Sequence, residues 1–521
     1  MDQKTDAVII GSGLNSLACA MVLQSRGWRV LICEQAAEIG GAVKTGAYTA
    51  EGFRHDWAAM NLSLFAGSPF FQRFQSELMA AGLSFVPAER CFATAFGDDT
   101  WLGITNDRSR NARNISAFAN NDGEAWGVLS DQFPARAEHI FALLGTPFKF
   151  WPLAKILWRL WRKEGTRGAL ELLRFLLSSP RSWLDGTFES AQVKSTLAAW
   201  GMHLDFAPDI AGGAVFPYLE AMANQSFGMV IGEGGADTII KAMVACIEGA
   251  GGRIWTNAPV TDVLIEGGKA TGVRLADGRI CQAQRAVIAN VAPKHLAKLM
   301  GEETPDYQQK LKRFRHAPGT MMIHLAMEDL PDWRADPELR QFAYVHLAPD
   351  MDQMARTYQQ AQAGLLPDAP VVVVGQPTAI DPSRAPEGKH VLWMQVRMVP
   401  GDIKGDAAGQ ISARDWQAAA EPMANRALDI LERYAPGTRA KIIAQKVVTP
   451  DMLEADNPNL VGGDQICGSH HLSQHFLYRP MFGRSDGSTP IEGLFHTGAA
   501  VWPGAGTGAG AGFLLGQKLA S

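Results

Sequence analysis

The sequence contains little that could build a metal centre or a redox-active pair of thiols. Its six cysteines are scattered, mostly within apolar runs, and none of them forms a CxxC or CxxxxC pair. Zinc sites and disulphide redox centres usually show such spacing along the chain. We therefore predict no metal site and no catalytic disulphide, and unpaired cysteines fit a reducing compartment.

Long apolar runs and an excess of positive charge are also missing. Ala7–Ser25 and Gly493–Gln517 are free of Asp, Glu, Lys and Arg, but glycine turns interrupt both. A membrane-spanning helix needs roughly 20 continuous apolar residues, so neither stretch fits. The formal net charge of −5 argues against a general nucleic-acid binder. Because the first strand is expected to begin shortly after Met1, we expect no signal peptide and predict a cytoplasmic protein.

Glycine, by contrast, is abundant, and the first glycines organise a recognisable unit. The sequence predicts a buried strand over Ala7–Ile10, a helix over Leu14–Arg26 and a second strand over Arg29–Cys33. The turn Gly11-Ser12-Gly13 joins the first strand to the helix, and Glu34 stands at the end of the second strand. This is a βαβ unit with the spacing of a dinucleotide site.

The chemistry of this unit predicts how it holds its ligand. Gly13 lets a pyrophosphate approach the helix N-terminus, and Glu34 can accept hydrogen bonds from a ribose diol. Ser16 replaces the third glycine of the usual motif, and its small side chain should be tolerated between helix and strand. A second glycine pair, Gly40-Gly41, directly follows the acidic residue, and a nicotinamide domain has no need of it. The combination resembles the flavin-binding fold of glutathione-reductase type.

Further along, the chain alternates between helices and strands. Its main predicted elements are a helix over Ser63–Ala88, an exposed polar region over Asn106–Asp131, a helix over Asp237–Gly249, strands from there to Ala289, strands between Thr320 and Val399, and a helix over Ser412–Tyr434. Mixed strands and helices in the later part predict a mixed-sheet substrate domain. Near the C-terminus a strand, the glycine-rich loop Gly498–Gly512 and a final helix follow each other.

Thr146–Leu184 is unusual because it combines tryptophan, aliphatic residues and positive charge. Leu153, Leu157, Leu160 and Trp161 fall on one helical face, and basic residues outnumber acidic ones across the segment by eight to two. The pattern is typical of an interfacial helix at an anionic membrane, or of a lid over an apolar tunnel. An ordinary helix with a buried apolar face and a solvated basic face fits it equally well.

Together these segments resemble the phytoene-desaturase-like FAD oxidoreductases, relatives of the flavin amine oxidases. They come closest to the branch of pyridine nucleotide-disulphide oxidoreductase domain-containing protein 2, although no paired cysteines support the disulphide part of that name. The motifs that carry the resemblance span essentially the whole chain: GSGLNSLACAMVLQSRGWRV, EIGGA, GFRHDWA, GEGGADTI, PTAIDPSRAPEGKH, NLVGGD and GLFHTGAAVWPGAGTGAGAG.

The resemblance implies an α/β fold. It would comprise a discontinuous FAD-binding Rossmann domain of glutathione-reductase type, a mixed α+β substrate domain and a helical insertion. The FAD-binding parts would be residues 1–66, 226–300 and 446–521. Residues 67–225, which include the helical insertion, and residues 301–445 would form the substrate domain.

The resemblance also implies which residues hold FAD. Gly11, Gly13 and Ser16 would hold the pyrophosphate, Glu34 the adenosine ribose, Gly41-Ala42 the flavin side, and the backbone of Val260 the adenine. Gly498, Pro503, Gly504 and Gly508 would border the isoalloxazine. The remaining expected contacts are Ser12, Asn15, Gln35, Met60 and Thr507. Ala42 stands where amine oxidases often have arginine, which argues against a direct amine-oxidase interpretation.

The implied activity is FAD-dependent hydride abstraction, of dehydrogenase or desaturase type, from a largely apolar substrate such as a polyene or another lipid-like molecule. No second GxGxxG follows a strand, so electrons are expected to pass to oxygen, a quinone or a carrier. Two alternatives stay open: an oxygen-using flavin oxidase of an amine or tailored metabolite, and a flavin-bearing scaffold that binds partners through Thr146–Leu184. Candidate acids or bases of the pocket are His203, Asp205, Tyr218, His316 and His324.

Overall fold

The computed structural model describes residues 5–146 and 150–521, and it arranges most of their strands in two large sheets. In chain order the described strands are β1 (Thr5–Ile10), β2 (Val30–Cys33), β3 (Thr45–Gly46), β4 (His55–Asp56), β5 (Phe85–Ala88), β6 (Arg90–Ala95), β7 (Trp101–Thr105), β8 (Met229–Gly232), β9 (Arg253–Trp255), β10 (Val260–Glu266), β11 (Lys269–Leu275), β12 (Ile280–Ala289), β13 (Gly319–Met327), β14 (Tyr344–Leu347), β15 (Leu365–Leu366), β16 (Val371–Gly375), β17 (His390–Val399), β18 (Gly405–Asp406), β19 (Ile442–Val448) and β20 (Leu494–His496).

The α-helices lie around these sheets. In chain order the described ones are α1 (Leu14–Gln24), α2 (Ser63–Ala66), α3 (Pro69–Ala80), α4 (Arg108–Ser116), α5 (Asn120–Leu144), α6 (Phe150–Leu177), α7 (Pro180–Asp185), α8 (Ala191–Ala198), α9 (Val215–Phe227), α10 (Thr238–Gly249), α11 (Pro293–Leu299), α12 (Pro305–Lys312), α13 (Met351–Gln362), α14 (Trp416–Tyr434), α15 (Pro450–Asp456) and α16 (Gly510–Leu519).

The first sheet contains the N-terminal βαβ unit. Its strands lie in the order β10-β11-β12-β1-β2-β9, and β20 pairs with β12. β1 runs parallel to both neighbours, so Ile10 lies between Cys33 and Ala289. Apolar residues of α1, α10 and α16 cover one face, whereas the β10–β11 hairpin and the helices α11 and α12 cover the other. This arrangement confirms the predicted α/β class with a Rossmann-type sheet.

The second sheet has the order β19-β13-β17-β16-β14-β6-β7 and is mostly antiparallel. One face packs on α14 through residues such as Leu428. Residues of the other face, including Val373 and Trp393, share an apolar core with α5, α8 and α9. The sheet therefore has a helical layer on each side, as a mixed α+β unit requires. The domain boundaries given above stay a prediction.

Two expectations about local structure are wrong, the second of them only in part. The helix expected over Ser63–Ala88 is two helices, α2 and α3, followed by strand β5, which pairs with β8. The region Asn106–Asp131 forms α4 and the start of α5. Its Asn111 and Asp122 are buried because they bind backbone N–H groups: Asn111 that of Thr105, and Asp122 those of residues 189 and 190.

The tryptophan-rich segment is helical but interrupted. α6 runs through most of it, and Gly165, at φ +68°, breaks the helix into two parts. Lys149 and the two residues before it lie outside the described residues. No helix in the described ranges is both long and apolar enough to cross a membrane.

Candidate active site

A cavity of about 740 Å³ lies between the two sheets. At one end it is lined by the β1–α1 turn, Glu34 and the β10 residue Val260. At the other end it is lined by side chains of the second sheet, including Trp393 and Arg397 of β17. The nucleotide motif and the second sheet thus open into one continuous space, whose volume is in the range of small-molecule and cofactor sites.

The β1–α1 turn is built for close approach to a ligand. Gly11 has φ +85°, where a side chain would be strained, and a Cβ on Gly13 would lie 3.1 Å from the Asn290 side chain. α1 begins at Leu14 without a side chain that caps its first N–H groups, and its first residues, Leu14 and Asn15, line the cavity. Such N–H groups, together with the helix dipole, favour an anion.

Glu34 follows β2 and also holds the turn together. Its Oε2 accepts hydrogen bonds of 2.7 Å from both the backbone N and the Oγ of Ser12, and its Oε1 accepts one of 2.8 Å from the backbone N of Ala36. The carboxylate is 8% exposed and lines the cavity. It therefore fixes the shape of the turn while leaving acceptor capacity toward the cavity.

The second glycine pair packs directly on the first. Gly40 and Gly41 have φ +123° and +63°, and a Cβ on Gly41 would lie 3.3 Å from the Cα of Gly13. The two loops can approach each other this closely because neither carries a side chain at the contact. Of the residues expected to hold FAD, those that line the cavity are Gly11, Ser12, Gly13, Asn15, Glu34, Gln35, Gly41, Ala42, Met60, Val260 and Thr507.

The other expected residues lie behind this lining. Ser16 is fully buried, and its Oγ accepts a 2.9 Å hydrogen bond from Nδ2 of Asn290, which shows how a serine fits at the third glycine position. The remaining ones, which belong to the C-terminal loop, are Gly498, Pro503, Gly504 and Gly508. In that loop the cavity lining is provided instead by Ala499, Ala500, Ala505, Gly506 and Thr507.

The final helix completes this end of the site. A Cβ on Gly512 of α16 would lie 1.9 Å from the backbone oxygen of Asn15 in α1, so only glycine fits there. Oδ1 of Asn15 accepts a 3.0 Å hydrogen bond from the backbone N of Gly512. The first and last helices of the described chain therefore meet backbone to backbone beside the cavity.

Among the expected acids and bases, His203 lines the cavity. Its ring stacks on Trp200 with centroids 4.7 Å apart, and its Nε2 lies 3.1 Å from Nε2 of His346. Burial, and then the positive charge of Arg397, hold the pKa of His203 well below its ordinary value. The ring is therefore neutral at physiological pH and can donate or accept one hydrogen bond, but it does not supply a proton as an imidazolium would.

The other four candidates are not among the residues that line the cavity. Asp205 is buried, which raises its pKa to about 6, and it binds Tyr358 and His471. Tyr218 lies among aromatic rings of the helical layer, where burial raises its pKa to about 12. His316 contacts the carboxylate of Asp464, and the ring of His324 stacks on Trp57.

Several cavity residues were missed by sequence reasoning. They are Trp200, Glu220, Tyr344, Trp393, Gln395, Arg397 and Gln465. β17 contributes three of them at every second position of an otherwise apolar strand, a spacing that places them on one face of the sheet. This spacing of two residues was the signal in the sequence that could have grouped the three side chains on one face. Glu220 is also notable because burial raises its pKa to about 7.

Comparison with known proteins gives consistent similarities. Residues 9–78 match the family model described as NAD(P)-binding Rossmann-like domain. The chain is 26% identical to pyridine nucleotide-disulfide oxidoreductase domain-containing protein 2 of Mus musculus, over 97% of this chain and 92% of the relative. It is 25% identical to the neurosporene-forming phytoene desaturase of Cereibacter sphaeroides, over 96% of this chain and 91% of the relative.

Solved structures show the same fold. An oxidoreductase from Methanosarcina mazei matches with a TM-score of 0.64 at 19% identity, over 98% of this chain and 99% of the other. Putrescine oxidase bound to putrescine matches with a TM-score of 0.61 at 16% identity, over 99% and 98%. These similarities cover nearly the whole chain, both sheets included.

Proposed function

We propose that this chain, a phytoene-desaturase-like oxidoreductase, binds FAD without a covalent bond and removes hydride from a largely apolar substrate in the cavity between its two sheets. One observation carries the proposal: the glycine turns with Glu34 and the aromatic wall of the second sheet line the same cavity. A cofactor held by its nucleotide half at the first end would present its flavin to a substrate at the second.

The residues at the first end fit FAD chemically. The turn at Gly11 and Gly13 would receive the pyrophosphate, Glu34 the ribose hydroxyls, and the backbone of Val260 the adenine. Gly11 and Gly13 carry no side chain that would keep a pyrophosphate away from the backbone of the turn. The loop around Gly498, Pro503, Gly504 and Gly508 would border the isoalloxazine, with its neighbours forming the direct lining. When bound, FAD supplies the acceptor for the hydride.

The second end fits a substrate with a large apolar surface. Trp200, Tyr344 and Trp393 are almost completely buried and line the cavity, so their rings would orient the substrate and exclude water from it. Phytoene and carotene desaturases are among the proteins that this chain resembles over more than nine-tenths of its length. We therefore place a polyene or another lipid-like molecule first among candidate substrates.

The cofactor is tested directly by purification. Acid precipitation of the protein should release FAD into the supernatant, and NADP or no chromophore after reconstitution would contradict the proposal. The reaction is tested anaerobically, by adding phytoene, ζ-carotene or lipid extracts and following loss of the oxidised flavin absorbance. Hydrogen peroxide on readmission of air, produced with amines but not with polyenes, would favour the amine-oxidase alternative. A flavin that no extract reduces would favour the scaffold.

A second proposal concerns α6, which we expect to meet an anionic membrane. Its tryptophans Trp151, Trp158 and Trp161 are 72%, 54% and 53% exposed, and Leu157 and Leu170 are also more than half exposed. A helix with an ordinary buried apolar face would not leave these side chains in water. Tryptophan favours the headgroup level of a bilayer, and basic residues add about 1 kcal/mol each near an anionic surface.

A hydrogen bond joins the chain before α6 to the C-terminal loop. The backbone oxygen of Thr146, just before the helical segment, accepts a 3.1 Å hydrogen bond from Nε1 of Trp502, which belongs to the C-terminal loop whose neighbouring residues line the cavity. A substrate dissolved in lipid would need an entrance near the membrane surface. We therefore propose that α6 borders the entrance through which the substrate reaches the site.

Flotation with liposomes tests the membrane proposal. The native protein should float with phosphatidylserine-containing vesicles and less with neutral ones, and salt should weaken the binding. A variant with Trp158, Arg159, Trp161 and Arg162 replaced by Gln should lose flotation. Phe482→Gln, which removes a 72%-exposed side chain outside the segment, serves as the control and should float normally. Equal flotation of all three proteins would place the contact elsewhere.

A further inference from the structure

One cavity-lining cation has no acidic partner. Arg397 is 5% exposed and forms no ion pair with any carboxylate in the described part of the chain. Its Nη2 donates to the backbone oxygens of Met202, at 3.1 Å, and His203, at 2.7 Å. Its Nη1 donates to Oγ1 of Thr320 at 3.2 Å, with two longer contacts of 3.4 Å to neighbouring glutamine oxygens. These contacts fix the guanidinium in place, but all of them are neutral.

The nearest carboxylates are already engaged elsewhere. Asp464 accepts hydrogen bonds from three backbone N–H groups, those of Ala317, Ile466 and Gly468. Asp205 accepts a hydrogen bond of 2.9 Å from the hydroxyl of Tyr358 and pairs with His471. Both act on Arg397 only at longer range. A buried cation without a close counter-charge is costly, so a site that retains one is suited to an anionic ligand.

Four residues of the cavity lining also have a donor atom without a partner in the described chain. Within the described residues, the polar atoms without a hydrogen-bond partner include Nε of Arg397, Nε1 of Trp200, Nε1 of Trp393 and Nε2 of Gln465. All four residues line the cavity, and all four atoms are donors. These four atoms are closed to solvent, so this wall of the cavity is short of hydrogen-bond acceptors around Arg397. A single water molecule could accept from one or two of these donors, but it would not balance the charge.

We infer that the substrate carries a carboxylate that binds the Arg397 guanidinium, while its apolar body lies along Trp200, Tyr344 and Trp393. The inference rests on the proposed function, because it assigns a substrate class to that same cavity. Arginine suits a carboxylate because its planar N–H groups can hold both oxygens. A pure hydrocarbon polyene would offer these donors no acceptor, so this site differs from one built for hydrocarbons alone.

The test uses two pairs of probes that differ only in their end group: all-trans-retinoic acid with retinol, and dodecanoate with dodecanol. Binding to the flavin-loaded protein is followed by quenching of tryptophan fluorescence and by shifts in flavin absorbance. In the native protein we expect at least one acid to bind tenfold or more tightly than its alcohol. Arg397→Met should remove this preference while alcohol binding stays within about threefold.

Controls separate the local contact from other effects. Lys298→Met removes an exposed cation that lines the cavity on the opposite side, at the end of α11, and should keep the preference for acids. If Arg397→Met does not fold, Arg397→Lys keeps the charge but lacks the planar N–H pair, and it should reduce the preference without abolishing it. Flavin content is measured for every variant.

Two results would overturn the inference. One is equal binding of acid and alcohol in both pairs by the native protein, and the other is a preference for acids that survives in Arg397→Met. Loss of flavin from Arg397→Met, together with no acid preference in the native protein, would show that the guanidinium binds the cofactor and not the substrate. These results leave the proposed function standing, because that function is tested separately by the flavin content of the native protein and by reduction of its flavin.

Discussion

Removal of the guanidinium of Arg384 should be among the most destabilising single substitutions in this protein. Arg384 is completely buried and belongs to the proline-rich loop between β16 and β17. Its Nη1 binds Oδ2 of Asp56 in β4, its Nε lies 3.1 Å from Oδ2 of Asp381, and its Nη2 donates at 2.6 Å to the backbone oxygen of Gly232. One side chain thus joins the loop to two other segments.

The expected loss in the free energy of unfolding follows from the buried carboxylate that Arg384→Met leaves without its cationic partner. Asp56, also buried, keeps two hydrogen bonds to its Oδ1, from Oγ1 of Thr45 and the backbone N of Ala236, but its Oδ2 loses its cationic partner. Breaking a buried pair in this way costs about 3–5 kcal/mol, whereas an exposed pair contributes about 0–1 kcal/mol. We therefore expect the free energy of unfolding to fall by about 3–5 kcal/mol.

Chemical denaturation of the flavin-loaded protein, followed by tryptophan fluorescence, measures this loss. The double variant Arg384→Met, Asp56→Asn should recover part of it, because asparagine keeps the Oδ1 acceptor and removes the uncompensated charge. Arg334→Met, which breaks a half-exposed pair with Asp99, is the matched control and should cost about 1 kcal/mol or less. A loss below about 1 kcal/mol for Arg384→Met, or no recovery in the double variant, would refute the reasoning.

Other predictions concern the end of the cavity that contains Glu34 and the loss of stability at low pH. Gly512→Ala should lower the melting temperature and the flavin content strongly, because its Cβ would lie 1.9 Å from a backbone oxygen of α1, whereas Gly249→Ala, with open space around it, should not. Glu34→Gln should weaken FAD binding about ten- to hundredfold in a titration of the apoprotein, since hydrogen bonds to a charged acceptor contribute about 1.5–3 kcal/mol; unchanged affinity would mean that the carboxylate does not meet the ribose. Burial opposes ionisation of Asp406 and Asp486, but their hydrogen bonds outweigh it and lower each pKa to about 2. Because the folded pKa values lie below the ordinary 3.8, this stabilisation should be lost as pH falls from about 4 to 2, and acid titration of the melting temperature measures it.

The parts that could be predicted from the sequence are those with strong local signals. The βαβ unit is set by glycine spacing and an acidic residue, and the structure places β1, α1 and β2 within two residues of the expected bounds. The resemblance to phytoene-desaturase-like oxidoreductases and the assignment as an enzyme are confirmed. Such signals can be recognised in a single sequence because each one depends on residues that lie close together in the chain.

The parts that could not be predicted depend on contacts between distant segments. Asp122 is buried because it binds N–H groups 67 and 68 residues away, which no local pattern reveals. The apolar residues around Phe85 are compatible with either a helix or a strand. This stretch is a strand because it pairs with β8, which is distant in the sequence. The alternation along β17 separates its two faces, but only the register of the sheet shows that the face with Arg397 lines the cavity, so Arg397 was not recognised as a site residue.

The contact between the first and last helices has a consequence for biosynthesis. The hydrogen bond between Asn15 and Gly512 joins residues 497 positions apart. At about 5–20 residues per second, a ribosome takes about 25–100 s to make the intervening chain. During that interval the apolar face of α1 that α16 will cover is open to chaperones and to other nascent chains. The packing of α1 against α16 therefore has to wait until residue 512 has been made.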